Sequence, residues 1–435
     1  MGGVLAALIR LLKKVLPQPL VRSLLPFYHK AFAVGSALFY GFPARKLVVV
    51  GVTGTKGKST VTEMLYAILQ EAGKKAALAS TIRFAVGKES QPNLFKMTTP
   101  GRGFVQGLMR RARRAGCTHF VVEITSEAVL QSRHLFLDPD GLVVTNIQHE
   151  HIERHGSFAN YVAAKRDIVR ALETSPKKNR VLVANKDVPE TRAFLSAHVS
   201  RAIGFSREEM KNLQVGEDGV SFIYGNVSFD LPLPGVFNAE NTLAAAKMGE
   251  ALGIPLAVSS AALKKVSRVP GRAERIDEGQ DFLVVVDYAH TPDSLRALYG
   301  AFPTRRKICV LGNTGGGRDT GKRPEMGKIA DEECAEVILT NEDPYDEDPR
   351  AIVEDMARAM KKHPRIIMDR RVAIRTALAH AKKGDAVLIS GKGTDPFIMG
   401  PGGTKTPWSD AAVVREELAA RAAERKSATP DTMRL

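Results

Sequence analysis

Short apolar runs alternate with amphipathic stretches along most of the chain. The runs KLVVVGV, KAALAS, THFVVEI, GLVVTNI and RVLVAN, between residues 46 and 185, are typical of buried strands. The stretches STVTEMLYAILQEAG and GFVQGLMRRARRAG have the apolar period of helices, and each stops at a glycine. Strands that alternate with helices in this way predict an α/β fold with a parallel sheet covered on both faces.

A second alternation begins after RVPGR, at residues 268–272. Its predicted strands are FLVVVDYA, KICVLGN, AEVILTN, RIIMD and DAVLISG. The helices of this part are expected to begin near Asp293, Pro324, Pro349 and Arg371, with a last helix from Asp410 to about Arg425. The final KSATPDTMRL is expected to be a frayed tail.

One segment departs from the alternation. VSFIYGNVSFDLPL contains two alternating runs about Gly225 and Asn226, which predicts a β-hairpin.

From the two alternations we expect a basic N-terminal segment (1–45), a central parallel-sheet domain of the P-loop ATPase type (46–271) and a Rossmann-like C-terminal domain (272–435).

Composition is that of a soluble globular protein, with 44% apolar and 25% charged residues among 435. Cys117, Cys309 and Cys334 are far apart and form no CxxC, which argues against a disulfide framework or a zinc site and favours a cytoplasmic location. The net charge of +16 suits anionic partners. Because basic residues are not interleaved with aromatic ones, we expect no nucleic acid as a partner.

The positive charge is concentrated at the N-terminus, where residues 1–62 contain no Asp or Glu and residues 1–46 carry seven Lys or Arg. VLAALIRLLKKVL predicts an amphipathic helix over residues 4–16, closed by Pro17. A second apolar run, Ala31–Phe42, is too short to span a bilayer. Residues 1–46 either pack as helices on the next domain or lie on anionic lipid at the inner face of the cell membrane.

A phosphate-binding loop is predicted where the first strand ends, in GVTGTKGKST at residues 51–60. Its backbone amides and the following helix N-terminus form an anion nest, Lys58 reaches the outer phosphates, and the Ser59 hydroxyl is a Mg²⁺ ligand. The strict pattern requires glycine where Val52 stands, so the loop is a variant. Strand, loop and helix nevertheless follow in the order that ATP binding requires, with Gly54, Thr55, Lys56, Gly57 and Thr60 completing the loop.

Further polar residues follow other strand ends. Glu123 ends HFVVE, and His151 follows the strand that ends in VTN. Strand carboxyl ends line the ligand crevice of an open α/β sheet, so Glu123, His151 and Ser59 could reach one metal ion there. Taken singly, His151 and Lys165 are also typical of solvated surface positions.

Several motifs together resemble the Mur ligase family: GTKGKST, TNIQHEHIERHG, YVAAK, PGVFNAENTLAA, VPGR and DYAHTPDSL. GNTGGGRDTGKRPEMG and NEDPYDEDP resemble the MurE-type branch, the UDP-MurNAc-tripeptide synthetases. The resemblance covers roughly residues 46–423 and implies an ATP- and Mg²⁺-dependent enzyme. Such an enzyme activates a carboxylate of a muramyl-peptide acceptor as an acyl phosphate and joins it to a free amino acid.

The resemblance also implies residue roles. It gives catalytic roles to Lys58, Lys165, His151 and Glu123, with Ser59 and Glu123 on one Mg²⁺ and His151 and a carbamylated Lys165 on a second. It implies ATP contacts at Asn238, Asn241, Arg272, Asp287 and His290. It implies substrate contacts at Thr98, Thr99, Arg133, Arg318, Arg323, Asp343, Tyr345, Gly391 and Asp395.

The sequence departs from the family pattern where the amino acid is selected. Tyr345 stands where enzymes that select meso-diaminopimelate carry arginine, and GKGTD replaces GKGHE. An arginine would hold the distal carboxylate through paired hydrogen bonds. The acids from Glu342 to Asp348, with Asp395, instead favour a side-chain cation such as that of lysine or ornithine. We also expect the usual UDP-binding N-terminal domain to be missing, because the phosphate loop begins at residue 51.

Two other functions remain open from the sequence. A ligase of the same fold could act on another acid, as folylpolyglutamate or cyanophycin synthetases do, although DYAHTPDSL and GKRPEMG favour the muramyl-peptide branch. A non-catalytic nucleotide-binding, membrane-associated protein is the alternative from another class, and the retained Lys58, Glu123, His151 and Lys165 argue against it.

Overall fold

The computed structural model describes residues 18–101, 103–150 and 152–428. The predicted helix over residues 4–16, His151 and the end of the tail lie outside the described residues. The described residues form two compact units, one from 18–91, 97–150 and 157–205 and the other from 92–96, 152–156 and 206–428. The predicted domain boundary near residue 271 stays a prediction.

The first part of the chain alternates strands and helices as predicted. Its elements are α1 (Gln18–Tyr40), β1 (Val48–Thr53), α2 (Lys58–Glu71), β2 (Ala76–Ala79), β3 (Arg83–Val86), β4 (Glu89–Pro92), α3 (Phe104–Arg114), β5 (His119–Glu123), α4 (Ser126–Leu130), β6 (Gly141–Val144), α5 (Ile152–His155), α6 (Phe158–Glu173), β7 (Val181–Asn185), α7 (Pro189–Arg192) and β8 (Arg201–Phe205).

Strand β1 lies inside the larger sheet, whose order in the described residues is β4-β3-β2-β5-β1-β6-β7-β8. It pairs in parallel with β5 and β6, and β2, β7 and β8 continue the parallel arrangement, while β3 runs antiparallel to β2. The middle residues of the central strands are apolar because both faces of the sheet are buried. Helices α2 and α3 are followed by Gly73 and Gly116 at positive φ, which confirms their predicted stops.

The second part of the chain carries the remaining elements. They are β9 (Lys211–Val215), β10 (Val220–Tyr224), β11 (Val227–Leu231), α8 (Val236–Ala251), α9 (Leu256–Lys264), β12 (Glu274–Arg275), β13 (Leu283–Val286), α10 (Pro292–Gly300), β14 (Lys307–Leu311), α11 (Lys322–Glu333), β15 (Glu336–Leu339), α12 (Pro349–Ala357), β16 (Arg365–Ile366), α13 (Arg370–His380), β17 (Ala386–Ile389), β18 (Phe397–Met399), β19 (Lys405–Pro407) and α14 (Asp410–Ala428).

The predicted hairpin is formed by β10 and β11. Gly225 and Asn226 both have positive φ, of 55° and 60°, as a two-residue turn between right-twisted strands requires. A separate sheet has the order β12-β13-β17-β14-β15-β16 and is parallel except at β12. The α/β fold, with one large and mostly parallel sheet and a second mixed sheet, is therefore confirmed.

The cysteines behave differently from the expectation. Cys309 in β14 and Cys334 immediately before β15 are joined as a disulfide, with their Cα atoms 6.1 Å apart. Their separation of 25 residues suggested independence, but β14 and β15 are parallel neighbours, so the crossover through α11 returns Cys334 to the start of β14. Cys117 is a buried free thiol.

The ion pair of Arg370 and Asp410 joins the starts of α13 and α14. Both side chains are fully buried, with Nε and Nη2 of Arg370 donating to the two carboxylate oxygens at 2.8 and 2.7 Å. Arg370 also donates to the Ser390 carbonyl, and Trp408 Nε1 donates to Asp410. The pair therefore fixes both helices to the end of β17.

We expect Asp410→Ala to lower the free energy of unfolding by about 3–5 kcal/mol, because it leaves a buried guanidinium without its carboxylate. Urea unfolding followed by circular dichroism measures the change. Glu416→Ala, which removes an exposed partner of Arg371, is the control and is expected to cost less than about 1 kcal/mol. Equal losses in the two variants would contradict this role of the buried pair.

Candidate active site

The phosphate loop connects β1 to α2 as predicted. Gly54 has φ of 144°, and a Cβ there would lie 2.0 Å from Thr145 Oγ1, so no side chain fits between the loop and the end of β6. Gly57 has φ of 81° and caps α2, whose first residue is Lys58. Backbone amides at a helix start of this kind are the groups with which a phosphate loop binds anions.

The end of β6 holds the loop in shape. The amide of Thr55 donates to the Asn146 carbonyl at 2.9 Å, and the amide of Lys56 donates to Asn146 Oδ1 at 2.9 Å. Lys56 Nζ also pairs with Glu150 Oε1 at 3.0 Å. Contacts within the protein therefore hold the loop in shape, and two of its fixing residues, Asn146 and Glu150, were not singled out from the sequence.

Ser59 and Glu123 meet at the carboxyl ends of β1 and β5. Ser59 Oγ donates to Glu123 Oε2 at 3.0 Å, and both side chains are buried. The same carboxylate oxygen accepts from the amide and the hydroxyl of Thr81, at 2.8 and 2.9 Å. A hydroxyl and a carboxylate are the hard oxygen donors that Mg²⁺ takes from proteins, together with substrate phosphates. The described residues contain no group of three or more His, Cys, Asp or Glu side chains arranged to hold a metal ion.

Lys165 is fully buried on α6 and points to the phosphate loop rather than to solvent. Its Nζ donates to Thr53 Oγ1 at 3.0 Å and to the Gly54 carbonyl at 2.9 Å, and its side chain is 1% exposed. Burial, reinforced by the positive charge of Lys58, lowers the pKa of the Lys165 amine well below its usual value. The interpretation of Lys165 as a solvated surface lysine is wrong.

Tyr161 is a further residue of this cluster. Its hydroxyl is 2.8 Å from Thr55 Oγ1, which in turn accepts from the Gln148 amide. Burial raises the pKa of the Tyr161 hydroxyl, so this group stays a neutral hydrogen-bonding partner of the loop. Tyr161 precedes Lys165 by one helical turn within YVAAK, and this spacing was the available signal.

The expected muramyl-peptide side lies near the same carboxylate. Thr98 Oγ1 is 2.8 Å from Thr81 Oγ1, and Thr99 Oγ1 donates to the Glu123 carbonyl at 2.9 Å. Arg133 donates from Nη1 to the Thr99 carbonyl at 2.7 Å, and burial lowers the pKa of its guanidinium. The structure thus brings Thr98, Thr99 and Arg133 together, and their contacts with a substrate stay a prediction.

Two groups of expected ATP contacts lie in the second unit. Asn238 and Asn241 are buried on α8, 3.4 Å apart from Oδ1 to Nδ2. Asp287 accepts from the amides of Ala273 and Ala289, both at 2.6 Å, and burial raises the pKa of its carboxyl.

Arg272 and His290 flank a shared aromatic ring. The Arg272 guanidinium lies 4.4 Å from the centroid of the Tyr288 ring, and the His290 ring lies 4.6 Å from it. Nδ1 of His290 is 2.6 Å from the Tyr288 carbonyl. Tyr288 organises both residues, and the sequence reasoning did not single it out.

The acids expected to attract a side-chain cation are largely paired within the protein. Asp343 Oδ1 accepts from Lys392 Nζ at 2.8 Å, and Asp343 Oδ2 accepts from Lys96 Nζ. Asp395 Oδ2 lies 3.4 Å from Lys96 Nζ and 3.5 Å from Lys392 Nζ. The Lys96 ammonium is also 5.8 Å from the centroid of the Tyr345 ring. Two lysines that the sequence did not single out therefore pair with these acids, and the expectation that the acids favour a side-chain cation of the substrate stays a prediction.

The expected arginines are paired as well. Arg323 is buried and donates to Glu347 at 2.7 Å and to Asp355 at 3.0 Å, which commits it to a structural role on α11. Arg318 is partly exposed and lies 3.6 Å from Glu153. Gly391 has φ of 106°, and a Cβ there would lie 2.3 Å from Glu342 Oε2, so glycine is required beside this carboxylate.

Comparisons with known proteins agree with the predicted resemblance. Residues 52–249 match the Mur ligase middle domain, and residues 271–393 match the Mur ligase glutamate ligase domain. The UDP-N-acetylmuramyl-tripeptide synthetase of Roseiflexus sp. (strain RS-1) is 36% identical, over 93% of this chain and 84% of its own length.

Solved structures extend the comparison. A UDP-N-acetylmuramoyl-L-alanyl-D-glutamate--2,6-diaminopimelate ligase is 28% identical with a TM-score of 0.59, over 86% of this chain and 79% of its own. Folylpolyglutamate synthase from Mycobacterium tuberculosis reaches a TM-score of 0.67 at 17% identity, over 84% of this chain and 93% of its own, and shows a shared fold alone. The phosphate loop, the two sheet systems and these matches lead to one conclusion: the chain belongs to the Mur ligase family and is similar to its MurE-type, ATP-dependent ligases.

Proposed function

We propose that this ligase joins a free amino acid to a carboxylate of a muramyl-peptide acceptor at the expense of ATP. The observation that carries the proposal is the cluster of Ser59, Glu123 and the buried Lys165 around the phosphate loop. A structural helix–strand turn has no need of a fully buried lysine. Beside the loop it adds an amine to the hydroxyl of Ser59 and the carboxylate of Glu123, and the retention of all three groups disfavours a purely non-catalytic role.

The chemistry has two displacement steps. A carboxylate oxygen of the acceptor attacks the γ-phosphorus of ATP, the bond to the ADP oxygen breaks, and an acyl phosphate forms. The neutral amino group of the amino acid then attacks the carbonyl carbon, the bond to the phosphate oxygen breaks, and the nitrogen loses its proton. Two anions must therefore approach each other in the first step, and this electrostatic repulsion is the main barrier that the site must lower.

The residues around the loop are suited to lower this electrostatic repulsion. The amides at the start of α2 and the ammonium of Lys58 face the transferred phosphate charge. Ser59 and Glu123 would hold Mg²⁺, which, when bound, neutralises further phosphate charge. Thr98, Thr99 and Arg133 would orient the acceptor, while Asn238, Asn241, Arg272, Asp287 and His290 would contact the nucleotide.

Lys165 suits the carbamylated form that the resemblance implies. Only an unprotonated amine reacts with CO₂, and the lowered pKa of Lys165 favours that form. The carbamate would replace a cation by two anionic oxygens, which are donors that a second Mg²⁺ accepts. His151, the other residue with this expected role, lies outside the described residues.

We expect Lys58→Ala and Lys165→Ala each to reduce ligation at least about 1,000-fold while circular dichroism and melting temperature report an intact fold. The assay is ADP release that depends on both a muramyl-peptide acceptor and an amino acid, tested across panels of each. Lys74→Ala, at an exposed lysine after α2, is the control and should retain wild-type rates. Wild-type ADP release that no acceptor and amino acid stimulate would refute the proposed ligation.

The role of Lys165 generates a separate expectation. Activity should fall in CO₂-depleted buffer and return on addition of bicarbonate, because the lowered pKa increases the unprotonated fraction of the amine. Lowering the pH should protonate the amine and weaken the recovery. Acetate or bicarbonate should partly restore Lys165→Ala, since a small carboxylate can occupy the place of the carbamate. Full activity of Lys165→Ala without such an addition would contradict the assignment.

We also propose that the enzyme works in the cytoplasm with residues 1–46 on the inner face of the membrane. In α1, Ala37 alone is buried among the side chains described, whereas Phe27 is 75% and Phe39 82% exposed. Leu24, Phe27, Val34 and Leu38 follow a heptad-like spacing and form one apolar stripe. An interfacial position fits an apolar stripe of this kind. No helix in the described residues has the length and apolarity to cross a bilayer.

The positive charge of residues 1–62 favours a lipid surface over a second copy of the chain as the partner of this stripe. Residues 1–62 have no acid, so two such segments would repel each other, whereas an anionic leaflet attracts them. Each basic residue near such a leaflet contributes on the order of 1 kcal/mol. An acceptor that is lipid-linked would then be met at the same surface.

In liposome flotation we expect the wild type to float with anionic vesicles at low salt, less at high salt, and not with neutral vesicles. Leu24→Ser/Phe27→Ser should remain in the soluble fraction with an unchanged melting temperature, because both side chains are exposed. A wild type that stays soluble on anionic vesicles at low salt would show that α1 is a structural element only.

A further inference from the structure

Two glycines at the start of α3 let α1 approach this helix closely. A Cβ at Gly103 would lie 2.8 Å from Ser36 Cβ, and a Cβ at Gly107 would lie 3.1 Å from the Tyr40 ring. Further along α3, Arg110 Nη1 donates to the Tyr40 carbonyl at 3.1 Å. Because these contacts advance in the same direction along both helices, α1 and α3 run parallel to each other.

The N-terminal part of α1 extends past the start of α3, because the contacts with α3 come from the last turns of α1. At a rise of about 1.5 Å per residue, Phe32 lies about 6 Å and Tyr28 about 12 Å before Ser36 along the helix axis. A bend at Pro26 would redirect only the residues before it. Both rings therefore lie beyond the point at which α3 begins.

This part of α1 has an aromatic face, formed by Tyr28, His29 and Phe32. His29, Phe32 and Ser36 follow one another at spacings of three and four residues, so they share the side of α1 that meets α3. The Tyr28 ring lies 4.8 Å from the Phe32 ring and 5.2 Å from the His29 ring. All three side chains of the aromatic face are only partly buried. Phe27, in the apolar stripe described above, is nine residues from Ser36 and therefore lies on the opposite side of α1.

The residues expected to hold the acceptor lie next to the same end of α3. A Cβ at Gly101 would lie 3.1 Å from Nε of Arg133, whose Nη1 donates to the Thr99 carbonyl. Gly101 and Gly103 are two positions apart, so their Cα atoms are at most about 7 Å from each other. Arg133 and Ser36 therefore flank one short piece of backbone, and the aromatic face of α1 continues the acceptor side of the first unit.

The position of the aromatic face suits the sugar of a muramyl peptide rather than its peptide. The peptide carries the carboxylate that must reach the phosphate loop, so in the proposed ligation the peptide lies toward Thr98 and Thr99. The sugar then lies farther from the loop, on the side of Arg133 and α1. The C–H face of a pyranose ring packs on aromatic rings, and ligand sites combine such apolar surfaces with a few polar groups that fix orientation. The acid-free positive charge of residues 1–62 also attracts an anionic acceptor.

We propose that Tyr28 and Phe32 form a sugar subsite, in which the muramyl ring of the acceptor packs on their aromatic rings beside Arg133. The ligand class is an N-acylated amino sugar that carries a short peptide. This inference rests on the proposed function for the identity of the acceptor, whereas the subsite itself is tested by binding alone. The two faces of α1 then have separate partners, lipid on the stripe with Phe27 and the sugar on the aromatic face.

Calorimetric titration of the full chain in lipid-free buffer compares a muramyl dipeptide, N-acetylmuramyl-L-alanyl-D-glutamate, with the same dipeptide lacking the sugar. We expect the wild type to bind the muramyl dipeptide at least about tenfold more tightly. Phe32→Leu and Tyr28→Leu keep an apolar side chain but remove a ring, and each should weaken binding of the muramyl dipeptide at least about fivefold. The Kd of the sugar-free dipeptide should change less than about twofold in both variants.

Two further variants separate stacking from a structural role. Phe32→Tyr keeps the ring and should keep the preference for the muramyl dipeptide. Phe27→Ala removes a ring of the same type from the opposite, exposed face of α1, and in lipid-free buffer it should bind both ligands as the wild type does. Melting temperatures of all variants verify that the fold is retained.

The proposal is overturned if the wild type binds the two dipeptides equally or binds neither, if Phe32→Leu and Tyr28→Leu weaken both ligands alike, or if Phe27→Ala loses as much as they do. Failure of the ligation is a separate result. A chain that prefers the muramyl dipeptide through these rings but releases no ADP with any amino acid contradicts the proposed function and leaves the sugar subsite standing. A chain that ligates both dipeptides with the same KM supports the ligation and overturns the subsite.

Discussion

The burial of the Lys165 amine against the phosphate loop is the constraint around which the first unit is arranged. The hydrogen bonds of this amine in the described residues go to a hydroxyl and a carbonyl, both neutral. An isolated ammonium is costly in such a place, so the unprotonated amine is favoured and the amine becomes reactive. The same contacts tie α6 to β1, which means that the group suited to modification also helps to fix the loop.

Parallel sheets explain how distant segments meet at both sites. In the first unit, the ends of β1, β5 and β6 deliver the loop, Glu123 and Asn146 to one edge. In the second unit, the loops after β14, β15 and β17 deliver Thr314, Glu342 and Gly391 to one edge of the other sheet. In both cases the backbone topology sets the position, and the side chains then determine the chemistry.

The two sheet edges differ in the charged groups that they bring together. Around the phosphate loop, Lys56 pairs with Glu150, while the proposed anion site would rely on Lys58 and the start of α2, and the proposed metal site on Glu123. Around Asp343 the negative charges are instead neutralised by two lysines of the same chain. Lys392 is fully buried, and Lys96 comes from the loop after β4.

The sequence alone determined the parts that depend on local chemistry. The apolar runs, the glycines at helix ends, the Gly225-Asn226 turn and the phosphate loop were predicted because periodicity and backbone conformation follow from residue type. Motifs that the sequence shares with the Mur ligase family implied the roles of Glu123 and Lys165. Tertiary structure alone decided which charges meet. Lys96 and Asp343 are 247 residues apart, Cys309 and Cys334 join across a crossover, and Arg323 is occupied by Glu347 and Asp355. An acid counted along the chain looks available for a substrate, but whether its charge is free depends on partners that only folding brings within a few ångströms.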